Sequence, residues 1–136
     1  WEYRLISDDN IKLGEVDKGG TLRLGAWPCV VKPGTKLAEC YGQSEISERH
    51  RHRYEFNNDF RKEYEQAGME CVGVNPDTDL VEIVEIPTLN WYVGTQFHPE
   101  YSSTVLKPHP LFLDFVKACI ECKNEEAEEN EEVAEA

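Results

Sequence analysis

A histidine, a proline and a glutamate follow one another at positions 98–100, directly after the apolar run WYVGTQF. His98 and Glu100 are two apart, so in an extended chain both side chains project to the same side. Pro99 fixes its own φ and biases His98 toward extended geometry. A carboxylate held against one imidazole nitrogen sets the tautomer and stabilises the imidazolium, leaving the other nitrogen to take a proton from a nucleophile. His-x-Glu is common, however, and spacing alone is equally satisfied by a histidine that bonds to whatever lies near it.

A second stretch, ERHRHRYEFNN at 48–58, alternates Arg49, Arg51 and Arg53 with His50 and His52. In a strand the arginines share one face and the histidines the other. The guanidinium fork grips carboxylates and phosphates bidentately, so such a stripe suits an anionic ligand. Internal ion pairs with acids such as Glu48 and Glu55 account for it as well. His50, His52, His98 and His109 are the four histidines. Beyond His50-x-His52 they lack tight ligand spacing, so no metal is expected. The five cysteines form no disulfide-like framework, and with no secretion signal they read as reduced thiols in a cytoplasmic protein. Cys119 and Cys122 form a C-x-x-C at the end of an apolar helix rather than at a helix start, where the dipole would lower the thiol pKa. Cys119 reads as core.

These residues need elements to position them. WEYRLI reads as a strand, and residues 19–31 as a loop feeding a strand. A helical turn is expected near 36–41, and a strand ends the SERHRHRYEF segment, with Tyr54 and Phe56 alternating. NNDFRKEYEQAG reads as a helix capped by Asn58 and ended by Gly68, with Phe60, Tyr64 and Ala67 on one face. MECVGV is a further strand. LVEIVEI and WYVGTQF, joined by PTLN, suit a hairpin. HPLFLDFVKACIECK reads as a helix with Leu111, Phe112, Phe115, Val116, Cys119 and Ile120 along one side. Mixed helices and strands give an α/β or α+β class, and the hairpin makes part of the sheet antiparallel.

The chain has 136 residues, 40% hydrophobic, with a formal charge of −13. That is room for one domain with a real core. Seven of the 27 acids lie in the last thirteen residues, leaving a body of 20 acids against 14 Lys and Arg. An acidic body excludes general nucleic-acid binding, which needs a basic patch. No apolar run reaches membrane-spanning length. Domain residues 1–122 and an acidic tail, 123–136, are expected, the tail disordered by like-charge repulsion and few apolar residues. The first residue is Trp, which suits a processed start or a piece of something longer.

GGTLRLGAWPC, ERHRHRYEFNN, LVEIVEI and GTQFHPEYSS, in this order and spacing, closely resemble the C-terminal region of the CTP synthase family. HPLFLDFVKA resembles the next segment of that region, so the likeness runs over residues 19–120. FHPE is shared by many class I glutamine amidotransferases, and RHRHRYE points to CTP synthase within that group. The resemblance implies an α/β fold, the C-terminal portion of a flavodoxin-like class I glutamine amidotransferase domain, with a mixed sheet and antiparallel terminal strands. It implies an enzyme that aminates UTP to CTP with Mg-ATP in a synthetase domain. Glutamine is hydrolysed in the amidotransferase domain, GTP activates that half, and the assembly is a homotetramer. The family triad is Cys-His-Glu, whose His and Glu fall on His98 and Glu100. The arginine that binds the glutamine carboxylate falls on Arg53, with Tyr54 beside it.

The sequence departs from that pattern in two respects. The family nucleophile sits in a Gly-x-Cys-x-Gly-x-Gln turn, and no cysteine here has that setting. The synthetase domain is also absent, and no cofactor is expected in this segment. The resemblance therefore implies the His–Glu half of a glutaminase site, inactive alone. The alternative is a non-catalytic module that keeps the fold to bind glutamine or hold a partner. A third reading makes His50 and His52 a pH- or metal-responsive cluster.

Overall fold

A computed structural model describes residues 23–135, with side-chain surroundings through residue 127. The strand expected in WEYRLI lies outside the described residues. The elements in order are β1 (Arg23–Val31), α1 (Lys36–Tyr41), β2 (Glu45–His52), a 3-10 turn (Asn58–Phe60), α2 (Arg61–Gln66), β3 (Glu70–Val74), β4 (Val81–Glu85), β5 (Val93–Thr95), a second 3-10 turn (Pro99–Tyr101) and α3 (Pro110–Glu135). The strands form one sheet in the order β2-β1-β3-β4-β5.

Every pairing in this sheet is antiparallel, so the mixed sheet expected from the sequence is not what the described residues form. Parallel neighbours need a crossover of a dozen or more residues. Here only the β3–β4 and β4–β5 connections are short; the longer ones, 32–44 and 53–69, carry α1 and α2 and still return the chain antiparallel to β1. The expected hairpin is present, with Ile83 opposite Thr95 and Glu85 opposite Val93. β1 pairs along its length with β2 but meets β3 only at Val30 and Val31. That leaves Pro28, which has no N–H to give, on a stretch without a β3 neighbour. At Gly73 the β3–β4 register shifts, and a Cβ there would lie 2.6 Å from Ile83 Cδ1.

The main core lies on one face of the sheet, where Cys29, Val31, Leu37, Val72, Ile83 and Phe97 pack together. On the other face Cys71, Val81 and Val84 form a smaller cluster with Phe56 and Met69. α1 starts at Thr35, whose hydroxyl accepts from the Ala38 amide at 3.2 Å, and ends at Gly42 in the left-handed region, φ 66°.

Three local expectations change. Asn57, not Asn58, caps the helical segment after β2, its side chain accepting from the Asp59 amide at 3.0 Å. The strand ends at His52, before Tyr54 and Phe56, because Glu55 turns inward to pair with buried Arg23. The third concerns the acidic tail: α3 continues through it to Glu135. Alanine and glutamate are good helix formers, and no Gly or Pro follows Pro110, so a helix started by packing can propagate. Leu111 alone among the described apolar residues of α3 is buried. Phe112, Phe115, Val116 and Ile120 stand exposed, and so does Cys119, which the sequence placed in the core. No helix among the described residues is long and apolar enough to cross a membrane.

Candidate active site

β5 and the residues after it deliver His98. Gln96 N donates to Glu82 O at 2.8 Å, continuing the pairing with β4, and Phe97 is buried. The next amide, His98 N, crosses to the opposite edge of the curled sheet and donates to Arg49 O at 2.9 Å. His98 itself is near-extended, φ −112° and ψ 86°, as expected before a proline. The chain then enters the turn Pro99–Tyr101, because the fixed φ of proline suits the first position of a helical turn.

His98 Nδ1 and Glu100 Oε1 are 2.8 Å apart. The turn, rather than the alternation of an extended strand, brings them together. A carboxylate accepts, so Nδ1 carries the proton and Nε2 keeps its lone pair. His98 is 37% exposed and Glu100 56%, so the pair stands at the surface. The Glu100 carboxyl is held below the usual carboxylate range, first by its own backbone amide and then by His98.

β2 follows the alternation read from the sequence. Glu48 and His50 point inward and His52 is largely covered, while Arg49, Arg51 and Arg53 are exposed. Arg51 Nη1 donates to the Tyr101 hydroxyl at 3.1 Å, and the Arg49 guanidinium lies 5.5 Å from the Tyr101 ring centroid. Arg53 makes no hydrogen bond or ion pair among the described residues. The chain just after it is fixed near the His98 strand, because Tyr54 O accepts from Gln96 Nε2 at 3.0 Å and from His52 Nδ1 at 2.9 Å.

Behind β2 lies a buried polar cluster. His50 Nδ1 and His52 Nε2 are 2.7 Å apart, and Glu82 Oε2 is 3.6 Å from His50 Nδ1. His52 gives its Nδ1 proton to Tyr54 O, so its Nε2 accepts and His50 Nδ1 donates. Arg23 binds Glu82, pairs with Glu55 at 3.0 Å and reaches Thr78 at 3.1 Å. Burial pushes His50 down to about 4 and Glu55 up to about 7. His50, His52 and Glu82 are the described residues whose ligand atoms, all within 4.8 Å, could hold a cation; Arg23 binds Glu82 at Oε1, and Glu82 Oε2 and His50 Nε2 are buried without a hydrogen-bond partner among the described residues. Of the cysteines, burial pushes the thiols of Cys29 and Cys40 up to about 12 and Cys71 up to about 11, which leaves them unreactive at neutral pH.

A groove of about 440 Å³ opens on the side of the smaller cluster, lined by Phe56, Phe60, Tyr64, Val84, Gly94 and Gln96. Its lining includes none of His98, Glu100 and Arg53. Sequence reasoning missed Glu48, Tyr101 and His109 as partners of the His-Pro-Glu turn. The signal for Glu48 was its place on the inward side of the β2 alternation. Tyr101 and His109 carried no sequence signal, since their contacts are long-range.

The fold and this turn come with a family match along most of the chain. The model for class I glutamine amidotransferases covers residues 7–118, and the chain belongs to that family. Within it, the chain is 70% identical over 103 residues to a CTP synthase of Bacteroides fragilis, covering 76% of this chain and 19% of that protein. It is 53% identical over 127 residues to a CTP synthase of Porphyromonas gingivalis, covering 93% of this chain and 24% of that protein. The glutaminase domain of Trypanosoma brucei CTP synthase, solved with bound acivicin, is similar at 33% identity with a TM-score of 0.72. That likeness covers 78% of this chain and 42% of the solved chain. The chain thus spans about a fifth of the length of the curated relatives it matches.

Proposed function

We propose that this chain supplies the His–Glu part of a glutaminase site in a CTP synthase. The observation that carries the reading is the 2.8 Å contact between His98 Nδ1 and Glu100 Oε1, which leaves Nε2 free at an exposed turn. In this reading His98 Nε2 takes the proton of a cysteine thiol supplied from outside the chain. The thiolate attacks the side-chain amide carbon of glutamine, and His98 returns the proton to the departing ammonia. Water then attacks the thioester carbon, His98 taking its proton; the C–S bond breaks to release glutamate, and His98 returns the proton to the departing cysteine thiolate. Glu100 stabilises the imidazolium formed in each half. Arg53, whose guanidinium has no ion-pair partner among the described residues, binds the substrate α-carboxylate, and Tyr54 beside it shapes the pocket.

Amination of UTP with Mg-ATP, activation by GTP and assembly as a tetramer belong, in this proposal, to the rest of a full-length cytoplasmic enzyme. No residue here is given a part in them. The test is glutamine turnover, with and without GTP, by the chain alone and mixed with a polypeptide carrying the cysteine turn. Turnover only in the mixture, abolished by His98→Ala, is the expected result. Turnover by the chain alone would overturn the assignment of the nucleophile. No turnover in either case, with glutamine binding that is lost in Arg53→Ala, would make the chain a glutamine-binding module instead.

A further inference from the structure

Among the described residues β2 is an edge strand, and an open edge is a row of unpaired backbone groups. The His-Pro-Glu turn covers that edge. Its backbone link is the His98 N to Arg49 O bond at 2.9 Å. Neighbouring β2 residues point to opposite faces, so the strand reaches the turn on both sides of this link.

On the outer side the grip falls on Tyr101. Its hydroxyl accepts from Arg51 at 3.1 Å, and its ring lies 5.5 Å from the Arg49 guanidinium. The same ring has its centroid 5.6 Å from that of His98, tilted by 51°. Tyr101 therefore stands between two β2 arginines and the imidazole. On the inner side the grip falls on Glu48, which is 6% exposed. Its carboxylate accepts from Tyr41 Oη at 2.9 Å, from His109 Nε2 at 2.8 Å and from Ser102 Oγ at 3.3 Å. The Leu111 amide donates to His109 Nδ1 at 3.3 Å, which places the His109 proton on Nε2, facing Glu48. The Ser102 hydroxyl is shared with Pro99 O at 3.2 Å, inside the turn itself. One buried carboxylate thus ties α1, the end of the turn and the start of α3 to β2.

We propose that β2 clamps the turn carrying His98 and Glu100 from both faces, with Tyr101 and Glu48 as positioning residues for the imidazole. The turn is short and exposed, and Pro99 alone fixes one φ. The orientation of His98 depends on what holds residues 101 and 102 on the far side of Glu100. The proposal rests on the reading of His98 and Glu100 as the acid–base pair, so its first test needs no turnover.

Nitrogen-15 NMR of the full 136-residue chain reports which ring nitrogen of His98 carries the proton. The clamped wild type should show the Nδ1–H form. Tyr101 is half exposed, so Tyr101→Ala removes the outer grip without opening the core. It should move His98 toward the mixed tautomers of a free imidazole, with Tyr101→Phe, which loses only the Arg51 bond, in between. Glu48→Ala should do the same from the inner side, and Glu48→Gln, which keeps an acceptor for His109, should restore part of the wild-type signal. An unchanged His98 signal in folded Tyr101→Ala would overturn the clamp, even if the melting temperature fell. In a complete glutaminase, Tyr101→Ala should lower kcat about tenfold, a fraction of a general-base contribution, with KM for glutamine held. A tautomer shift without any turnover in a complete assembly would uphold the clamp as a structural fact and remove its catalytic purpose.

Discussion

Arg23 is the residue on which the buried half of the molecule depends. It lies between Glu55 and Glu82, both buried, and its guanidinium stacks 5.0 Å from the Trp27 ring centroid. Arg23→Met would leave two carboxylates facing each other without a cation. Breaking a buried pair in this way costs about 3–5 kcal/mol, and urea denaturation of the variant against wild type measures it. A loss below about 1 kcal/mol would mean that the two acids, already raised by burial, become neutral by taking up protons once Arg23 is gone. The same cluster sets a pH dependence. Burial, above the opposing pull of Arg23, raises Glu55 from 4.5 to about 7. Between those values the folded chain holds a proton that the unfolded chain has released, so Glu55 makes stability fall as pH rises. His50, pushed by burial from 6.5 down to about 4, has the opposite slope over its own window. Glu82, raised, and His52, lowered, face the same cluster and add to one slope each. The stability of Glu55→Gln minus that of wild type removes these shared slopes. That difference should grow with pH from 4.5 to 7, and a flat difference would return Glu55 to an ordinary carboxylate.

At the scale of elements, β3 and β4 fit each other through one missing side chain. The Cβ of Gly73→Ala would meet Ile83 at Cδ1, Cγ1 and Cβ, at 2.6, 2.7 and 2.8 Å. The last two are not a flexible tip, so the strands must part. Overpacking of this kind costs about 1–3 kcal/mol. Gly73→Ala should lower the urea midpoint, and in combination with Ile83→Ala the two losses should sum to less than their separate values. Simple additivity would show that the strands separate freely. How much of this was legible beforehand depends on range. The β4–β5 hairpin, the helical turn at 36–41 and the inward-outward alternation of residues 48–53 were readable because they rest on local period and turn chemistry. The same period implied a helix face on α3, but only Leu111 is buried, because burial depends on what packs there. The end of β2 was misjudged at Tyr54 because Glu55 is drawn inward by Arg23, more than thirty residues earlier. His98 and Glu100 were legible as a pair, but the turn that joins them is held by Tyr101 and Glu48, and no spacing rule connects those residues.

On the scale of the whole molecule, the described residues leave apolar surface without cover. α3 exposes Phe112, Phe115, Val116 and Ile120, and Val105 and Leu106 are almost fully exposed before it. Phe56, Phe60 and Tyr64 line the open groove of about 440 Å³. β5 is, with β2, one of the two outer strands of the sheet among the described residues, and its outer edge pairs with no described strand. Contiguous apolar patches and open strand edges are the surfaces through which chains associate. The relatives carry several times as much chain, and in them such surface has more polypeptide to meet. The 136-residue chain on its own should therefore self-associate as its concentration rises, despite a net charge of −13 that opposes it. Sedimentation velocity over a range of concentrations reads this directly. Replacing Phe115 and Ile120 together by Lys should shift the distribution toward monomer with little change in melting temperature, since neither side chain belongs to the core. If the double variant associates as wild type does, the contact lies at the groove or the β5 edge. A wild type that stays monomeric throughout would show that these surfaces are tolerated in water and hold no chain together.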